Sequence, residues 1–234
     1  MENENKKVVL GVAAHPDDLD FGAAGTIAKF SREGYDCYYL ILTDGSKGTR
    51  DPKMTANKLA AIRKKEQLAS AKIVGAKGVF FLSHKDGELV PDMNLRREIV
   101  QYIRKLKPEI VITHDPSYMF SDRYVNHTDH RAAGTATIDA VAPAARNPMT
   151  FPELRKRGFE PHSVSQLYLA SMGNANFAVD ITKFMDLKIK ALSMHKSQGI
   201  GRHPEFMKEM SARLGKKWKY KHAETFFRIE LAIR

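Results

Sequence analysis

Two short polar segments of the sequence contain side chains that could bind a metal ion and activate a water molecule. These segments are His15-Pro16-Asp17-Asp18 and His127-Thr128-Asp129-His130. Catalytic zinc takes three protein ligands, mainly imidazole nitrogens and carboxylate oxygens, and leaves one position open for water. His15, Asp18 and His130 would supply such a set, which leaves Asp17 free to accept a proton from water.

The other side chains of the second segment have supporting roles in this hypothesis. His127 lies three residues before His130, so the two imidazoles share one side of a helix that begins there. A protonated His127 could stabilise an oxyanion or protonate a leaving amine, and Asp129 could orient one of the imidazoles. Taken singly, each segment has a structural explanation, as a strand-end turn with a helix-capping Asp or as surface histidines. Their combination favours a metal site.

The elements that would position both segments predict an α/β fold. Strands are predicted at residues 8–14, 35–43, 79–82 and 110–113, and helices at residues 22–32, 57–74, 94–106 and 127–141. This alternation predicts a Rossmann-like, mostly parallel sheet with helices on both faces. In one common strand order the first and fourth strands are neighbours, and ligands bind beyond the carboxyl ends of the strands. Residues 15 and 130 would then meet in one crevice, near His114 at the end of the fourth strand.

The second half of the chain is less regular, because prolines interrupt the connection that follows residue 141. Further strands are predicted at residues 164–170, 177–179 and 226–233, and further helices at residues 182–195 and 206–213. We therefore predict a single domain over residues 1–234, with an irregular C-terminal extension.

The composition predicts a soluble, cytoplasmic protein without a membrane partner. Hydrophobic residues make up 43% of the 234 residues, which is enough for a substantial core. No apolar run approaches the roughly 18 residues that span a bilayer. The short apolar run near the N-terminus leads directly into His15, which indicates a core strand rather than a signal peptide. The single cysteine, Cys37, cannot form an internal disulfide, in keeping with a reducing compartment.

The net charge of +11 brings other functional classes into consideration. Residues 213–222 interleave lysines with aromatic side chains, as some nucleic-acid-binding surfaces do, but no nucleic-acid-binding signature accompanies them. A dinucleotide-binding oxidoreductase would carry Gly-x-Gly-x-x-Gly after the first strand, where only Gly22 and Gly25 keep part of that pattern. We therefore expect a solvated basic surface and no nucleic-acid partner.

Along nearly its whole length, the sequence resembles the PIG-L/LmbE-like family of zinc-dependent N-deacetylases. The matching residues, in chain order, are Ala14-His15-Pro16-Asp17-Asp18, Gly22 and Gly25, Leu42-Thr43-Asp44-Gly45, Lys47-Gly48-Thr49, Arg63 with Glu66, Asp86-Gly87-Glu88-Leu89, His127-x-Asp129-His130, His195-x-Ser197-Gln198 and Glu224-x-Phe226-x-Arg228. One variation is Thr128, where family members often have proline.

The resemblance implies a Rossmann-like fold and one zinc ion per chain, held by His15, Asp18 and His130. It implies that Asp17 acts as general base and later returns the proton as general acid. It also implies that His127 stabilises the tetrahedral intermediate, with Asp129 supporting it. On ligand chemistry alone, iron or cobalt could occupy the same side chains.

The implied activity is removal of the N-acetyl group from an N-acetylglucosamine-type substrate, either a conjugate or a chitooligosaccharide, to give acetate and a free amino sugar. An alternative within the family is an amidase that acts on a thiol conjugate. Family members that act on lipids typically carry a membrane segment, so we expect a soluble small-molecule substrate here. The resemblance also leads us to expect a homo-oligomer, either a trimer or a hexamer.

Four further residues are candidates for binding the substrate: Arg50, Arg63, Asp86 and Arg123. The arginines suit an anionic group such as malate or phosphate, and Asp86 could accept hydrogen bonds from sugar hydroxyls. Arg63 could instead pair with Glu66 on its own helix, and Asp86 could be a turn residue before Gly87. His195 could line the site or cap a helix, and the loop at residues 115–126 could close as a lid.

Overall fold

The computed structural model of the chain describes residues 6–171, 173–200 and 203–232. Its strands are β1 (Val8–Ala13), β2 (Asp36–Thr43), β3 (Gly78–His84), β4 (Ile110–His114), β5 (Gln166–Ala170), β6 (Phe177–Asp180) and β7 (Ala223–Glu230). Its α-helices are α1 (Asp18–Arg32), α2 (Ala56–Ile73), α3 (Met93–Leu106), α4 (Thr128–Asp139), α5 (Pro152–Lys156), α6 (Met185–Leu192) and α7 (Pro204–Lys216). None of the helices in these ranges is both long and apolar enough to cross a lipid bilayer.

The seven strands form one mixed sheet in the order β3-β2-β1-β4-β5-β7-β6. Strands β1 to β5 run parallel to one another. Strand β7 pairs antiparallel with both β5 and β6. The α/β prediction with a mostly parallel sheet is therefore confirmed. The predicted pairing of the first and fourth strands is confirmed too, with Val9 opposite Ile110. The loops that follow β1 and β4 consequently open at the same edge of the sheet.

Helices cover both faces of the sheet, as the apolar strands require. Successive β1 side chains alternate between the faces, since Val9 and Ala13 join one core and Leu10 and Val12 join the other. The first core contains side chains of α1, α2, α6 and α7, and the second contains side chains of α3 and α4. The first strand is thus fixed from both sides, which gives the polar turn after it a rigid base.

Several elements differ in their bounds from the sequence prediction. Helix α1 begins at Asp18 rather than at residue 22, since acidic side chains at 18 and 20 suit the positive end of a helix. Helix α4 ends at Asp139, and the chain continues through a kinked segment, Ala140–Ala144, in which Ala142 has extended backbone angles. Strand β7 spans Ala223–Glu230 instead of residues 226–233, and Ile233 lies outside the described residues.

A buried ion pair joins the C-terminal half of the chain to α1. The Glu224 carboxylate accepts the backbone N–H groups of Gly25, at 3.0 Å, and Thr26, at 2.7 Å. The Lys188 ammonium donates to the same carboxylate and to the carbonyl oxygen of Phe21. Because a buried charge is costly unless it is paired, these contacts fix β7 and α6 firmly against α1.

Candidate active site

Three side chains with metal-ligand chemistry converge where β1 and β4 end. His15 follows β1, Asp18 is the first residue of α1, and His130 lies in the first turn of α4. His15 Nδ1 lies 3.3 Å from Asp18 Oδ2 and 3.3 Å from His130 Nε2, and His130 Nε2 lies 3.2 Å from Asp18 Oδ1. The turn between His15 and Asp18 therefore folds back on itself, as the metal-site hypothesis requires.

The spacing of these atoms fits a tetrahedral cation. Zinc binds imidazole nitrogen and carboxylate oxygen at about 2.0–2.2 Å, which sets neighbouring ligand atoms about 3.3–3.6 Å apart at tetrahedral angles. The three observed separations, 3.2–3.3 Å, lie at or 0.1 Å below the short end of that range, with the two imidazoles facing different oxygens of Asp18. The same three residues form one of the groups whose ligand atoms could share a metal ion.

The charge around His15 also favours a cation. Its Nε2 lies 3.2 Å from Asp86 Oδ1 and 3.2 Å from Asp129 Oδ2. Burial by itself lowers the pKa of His15, but the carboxylates of Asp18, Asp129 and Asp86 outweigh it and raise that pKa to about 12. Burial would raise the pKa of Asp86, yet hydrogen bonds from His15 and the Lys47 amide lower it to about 2. The site thus holds an excess of negative charge.

Asp129 is directed at His15. Its carboxylate accepts the backbone N–H groups of Gly87, at 2.7 Å, and Leu89, at 3.2 Å, and presents Oδ2 to His15 Nε2. The resemblance implies that Asp129 supports His127. The contact between them is made by the Asp129 backbone, whose N–H donates to His127 Nδ1 at 3.1 Å, and not by the Asp129 carboxylate. Asp129 therefore orients the His15 ring, as carboxylates beside metal-binding histidines commonly do.

His127 lies beside the three proposed ligands. Its Nε2 has no hydrogen-bond partner among the described residues. Because its Nδ1 accepts a backbone N–H, the neutral ring carries its proton on Nε2. Its ring centroid lies 4.7 Å from that of His15, edge to face. Burial, and then the charge on His15, lower the pKa of His127. The neutral ring can donate a hydrogen bond through Nε2.

Asp17 lies between the ligands and α2 but is not directed at the ligand atoms. Its Oδ2 lies 3.1 Å from Arg63 Nη2, and its backbone N–H donates to Gln67 Oε1 at 2.9 Å. Burial raises the pKa of Asp17 to about 7, against the opposing effect of the Arg63 charge. A carboxyl group with such a pKa exchanges its proton readily at neutral pH.

Two side chains hold the outer sides of this cluster. Asn126 Oδ1 lies 3.2 Å from His130 Nδ1, which leaves His130 Nε2 for a metal. His114 Nε2 accepts the Ala14 backbone N–H at 3.1 Å, and its ring stacks on that of His130 at 4.4 Å. The position of His114 at the end of β4 was its signal in the sequence. Asn126 was not predicted, and its only signal is its spacing of four residues from His130.

A cavity of about 420 Å³ opens beside the site. Its lining combines carboxylates, histidines, tyrosines and apolar side chains, among them Asp17, Asp18, His114, Asp115, Tyr118, Tyr124, His130, Phe21, Ile200, Met210 and Leu214. The rings of Tyr118 and Tyr124 stack at 6.1 Å with an interplanar angle of 11°. The loop at residues 115–126 therefore supplies an aromatic wall to the cavity.

Of the four residues predicted to bind substrate, two are exposed and two contact the cluster from outside the cavity. Arg50 and Arg123 are exposed, and the Arg123 side chain retains 91% of its accessible surface. Arg63 is buried and donates to the carbonyl oxygens of Gly45 and Pro16 as well as to Asp17, and Asp86 contacts His15. None of the four is among the residues that line the cavity in the described part of the chain.

A buried polar chain behind Asp17 was not predicted. Gln67 Nε2 donates to Asp20 Oδ2 at 2.8 Å, and His195 Nε2 lies 2.8 Å from the same oxygen. His195 is fully buried, makes no helix-capping bond through its side chain and is not among the residues that line the cavity. The motif His195-x-Ser197-Gln198 was the only signal for it in the sequence.

Several known proteins are similar to this chain in sequence and fold. The profile of the PIG-L family, described as GlcNAc-PI de-N-acetylase, matches residues 10–141. A diacetylchitobiose deacetylase of Thermococcus kodakarensis is 39% identical over 196 residues, covering 84% of this chain and 71% of that protein. A probable N-acetyl-alpha-D-glucosaminyl L-malate deacetylase 2 of Bacillus anthracis is 29% identical over 211 residues, covering 88% of each.

A solved structure agrees with these matches. The N,N'-diacetylchitobiose deacetylase from Pyrococcus horikoshii superposes with a TM-score of 0.89 at 34% sequence identity, covering 97% of this chain and 85% of that one. By the profile match, the sequence identity and the fold, this chain belongs to the PIG-L family.

Proposed function

We propose that the protein removes the N-acetyl group from an N-acetylglucosamine-type substrate, a conjugate or a chitooligosaccharide, and releases acetate and a free amino sugar. The observation that carries this proposal is a cluster of three side chains that could hold a metal ion, next to Asp17, a buried carboxyl group that contacts Arg63. The deacetylase relatives support the same reaction class.

One zinc ion per chain, held by His15, Asp18 and His130, would polarise the amide carbonyl and lower the pKa of the attacking water. The donor set supports zinc through its nitrogen and oxygen atoms at tetrahedral spacing. Iron or cobalt would fit the same donors, so the identity of the metal is part of the test.

The side chains of this protein would carry the proton and position the substrate. As water attacks the amide carbon, Asp17 takes a proton from that water. Asp17 then returns the proton to the amide nitrogen as the carbon–nitrogen bond breaks. His127, protonated on Nε2, donates a hydrogen bond to the oxyanion of the tetrahedral intermediate. Arg63 contacts the Asp17 carboxylate at 3.1 Å and helps to hold it at the cavity, which Asp17 lines together with Asp18 and His130.

The lining of the cavity supports a neutral group attached to the amino sugar rather than malate or phosphate. Among the cavity-lining residues in the described ranges there is no arginine, and the Lys188 ammonium is already paired with Glu224. The stacked rings of Tyr118 and Tyr124 suit the apolar face of a second sugar. We therefore place diacetylchitobiose ahead of N-acetylglucosaminyl malate as a substrate.

Acetate release tests this proposal. Metal-stripped and zinc-reloaded protein would be incubated with N-acetylglucosamine, diacetylchitobiose, N-acetylglucosaminyl malate and a thiol conjugate that carries an amide. We expect zinc-dependent release of acetate, fastest from diacetylchitobiose, and none from the His130→Ala variant. No acetate from any sugar, with zinc verified at one ion per chain, would contradict the proposal, and cleavage of the thiol conjugate alone would favour the amidase.

A further inference from the structure

Asp17 has a backbone conformation that residues with a side chain rarely adopt. Its φ is 105° and its ψ is −27°, in the position just before α1. A conformation of this kind persists only where the surrounding contacts over-determine it. The Asp17 carboxylate is aimed by this backbone, so whatever holds the backbone also sets the direction of the proposed base.

Two residues of α2 make the contacts that hold it. The backbone N–H of Asp17 donates to Gln67 Oε1 at 2.9 Å. Arg63 lies one helical turn earlier and contacts both the Asp17 carboxylate and the carbonyl oxygen of Pro16. Since residues four apart share one face of a helix, a single face of α2 binds the peptide group between Pro16 and Asp17 at both its carbonyl oxygen and its N–H, and also contacts the Asp17 carboxylate.

The orientation of the Gln67 amide is fixed by Asp20. A carboxylate can only accept hydrogen bonds, so Gln67 must present its NH₂ group to Asp20 Oδ2, 2.8 Å away. Its oxygen is then forced toward the Asp17 N–H. His195 Nε2 lies 2.8 Å from the same Asp20 oxygen, and the Tyr39 hydroxyl donates to the other oxygen at 3.3 Å. Gln67, Asp20 and His195 are all fully buried, which excludes water as a competing partner.

We propose that Gln67, oriented by Asp20 and His195, is a positioning residue that holds the Asp17 backbone in the conformation needed for proton transfer. The inference rests on the proposed role of Asp17 as the base. None of the three supporting side chains is among the cavity-lining residues or the proposed metal ligands in the described part of the chain. Their loss therefore acts on the chemical step, not on substrate or metal binding.

Substitution of Gln67 by an apolar residue of similar size tests the inference. In Gln67→Leu the Asp17 N–H loses its acceptor, so the carboxylate moves away from its productive position. We expect kcat to fall about 100-fold, the size of effect that a displacement of about 1 Å can have. KM and the bound zinc, measured by metal analysis, should stay within twofold of wild type. If Gln67→Leu fails to fold, Gln67→Asn serves as the second variant. The Asn side chain is more easily accommodated but is too short to span from Asp17 to Asp20, so kcat should again fall while KM stays unchanged.

Two further variants separate positioning from general packing. Asp20→Asn keeps an oxygen that can accept from Gln67 and His195, and its NH₂ group can face the Tyr39 hydroxyl, so kcat should be largely preserved. Asp20→Ala removes the acceptor and should lower kcat as Gln67→Leu does. Ser70→Ala is the matched control on α2, because Ser70 is fully buried and its hydroxyl has no hydrogen-bond partner within the described residues. Its kcat should equal that of wild type.

Crystal structures of wild type and the Gln67 variant decide the backbone part of the inference independently of activity. We expect φ of Asp17 to leave the positive region in the variant. A variant that keeps kcat within threefold of wild type, or that keeps φ near 105°, would overturn the inference, as would a loss of zinc in proportion to kcat. If the wild-type protein releases no acetate, the proposed function fails, and the φ comparison still decides whether Gln67 holds Asp17.

Discussion

At the scale of single residues, each proposed metal ligand is held by a second partner on its far side. His15 is held through Nε2 by Asp86 and Asp129, His130 through Nδ1 by Asn126, and Asp18 accepts the His15 backbone N–H at 2.7 Å. Such partners fix the protonated nitrogen and the ring orientation, and their loss typically costs about 10–100-fold in metal affinity or activity. These contacts orient the three proposed ligands toward one another.

The first residue-level prediction concerns Asp17. The Asp17→Asn change keeps size and shape but removes the proton acceptor, and it leaves His15, Asp18 and His130 in place. We expect turnover to fall about 10²–10⁴-fold with zinc still bound at one ion per chain. Acetate release and metal analysis of the same sample would measure both quantities. A variant that loses zinc but keeps a residual rate when zinc is added would show that Asp17 is a ligand and Asp18 the base.

The second concerns Cys37, which is buried in the core beneath α1. Burial, and then the charge of Asp36, raise the pKa of the Cys37 thiol to about 12. Only the thiolate reacts with alkylating agents, and an unperturbed thiol has a pKa of about 8.5. At pH 8 we therefore expect native protein to react with iodoacetamide at least about 100-fold more slowly than protein in denaturant, as measured by mass spectrometry. Comparable rates in the two states would refute the burial of this thiol.

The same shift has a consequence for stability. A thiol pKa that is higher in the native state than in the unfolded state stabilises the native state at pH values below the unfolded pKa, about 8.5. This contribution is lost as pH rises through that value toward about 12, the native pKa of Cys37. Stability of the Cys37→Ala variant should accordingly depend less on pH than that of wild type above pH 8.5.

At the scale of elements, α1 links the metal site to the C-terminal half of the sheet. Its first residue is Asp18, and its middle is held by Glu224 of β7 and by the tight approach of Ile181. A methyl group on Gly25 would lie 2.8 Å from Ile181 Cβ, whereas one on Gly22 would lie 3.6 Å from the nearest atom, Ala170 Cβ. The two glycines therefore have different reasons to be glycine.

This difference gives a matched pair of variants. Both Gly22→Ala and Gly25→Ala gain about 0.5–1 kcal/mol of helix propensity. Only Gly25→Ala creates an overpacked contact in a fully buried region, which typically costs about 1–3 kcal/mol. We expect Gly25→Ala to lower the free energy of unfolding and Gly22→Ala to leave it equal or slightly higher, as measured by urea titration. Equal destabilisation of both variants would show that α1 does not pack on Ile181 as described.

At the scale of the whole molecule, a chain of net charge +11 concentrates carboxylates around one imidazole at the edge of its sheet. The carboxylates of Asp18, Asp86 and Asp129 all lie within 3.3 Å of a His15 ring nitrogen. A cation at this point would offset their mutual repulsion. Apart from Arg63, which contacts Asp17, most lysines and arginines in the described ranges are exposed or half-buried, so we interpret the overall charge as a solvated surface.

Metal removal should therefore be visible in the stability of the whole protein. Zinc at about 100 times its Kd stabilises the native state by about 2.7 kcal/mol, which corresponds to a rise in Tm of about 5–10 °C for a protein of this size. We expect chelation to lower Tm by that amount and zinc to restore it, while magnesium, which prefers octahedral oxygen ligands, has little effect. The His130→Ala variant serves as control and should show no response to zinc. A response to zinc of equal size in that variant would place the metal elsewhere.

The predicted single domain, cytoplasmic location and trimeric or hexameric assembly stay predictions. Sedimentation of the zinc-loaded protein would measure the assembly state directly.

The loop at residues 115–126, predicted as a possible lid, is held by a 2.8 Å hydrogen bond from Asn126 Nδ2 to the Tyr118 carbonyl oxygen and by pairing of Phe120 with Val125. Phe120 and Val125 are themselves largely exposed.

The pattern of residues along the chain was enough to predict the parallel part of the sheet and to propose the metal ligands. The apolar runs predicted the parallel strands, and the chemistry of His15, Asp18 and His130 predicted one cation site, because residues at the ends of neighbouring strands must meet. These inferences depend on short-range pattern and on a rule of topology, both of which are carried by the order of the residues.

The side chains that support the site could be identified only from the folded structure. Arg63 contacts Asp17, while its helical neighbour Glu66 accepts a hydrogen bond from Ser197. The Asp129 carboxylate contacts His15 rather than His127. Gln67 connects Asp17 to the buried carboxylate of Asp20. These contacts join residues 46–131 positions apart. They depend on how α2 packs against the turn after β1 and on how the loop after β3 approaches α4. Such packing is set by the shapes of side chains across the whole core, and no local spacing in the sequence records it.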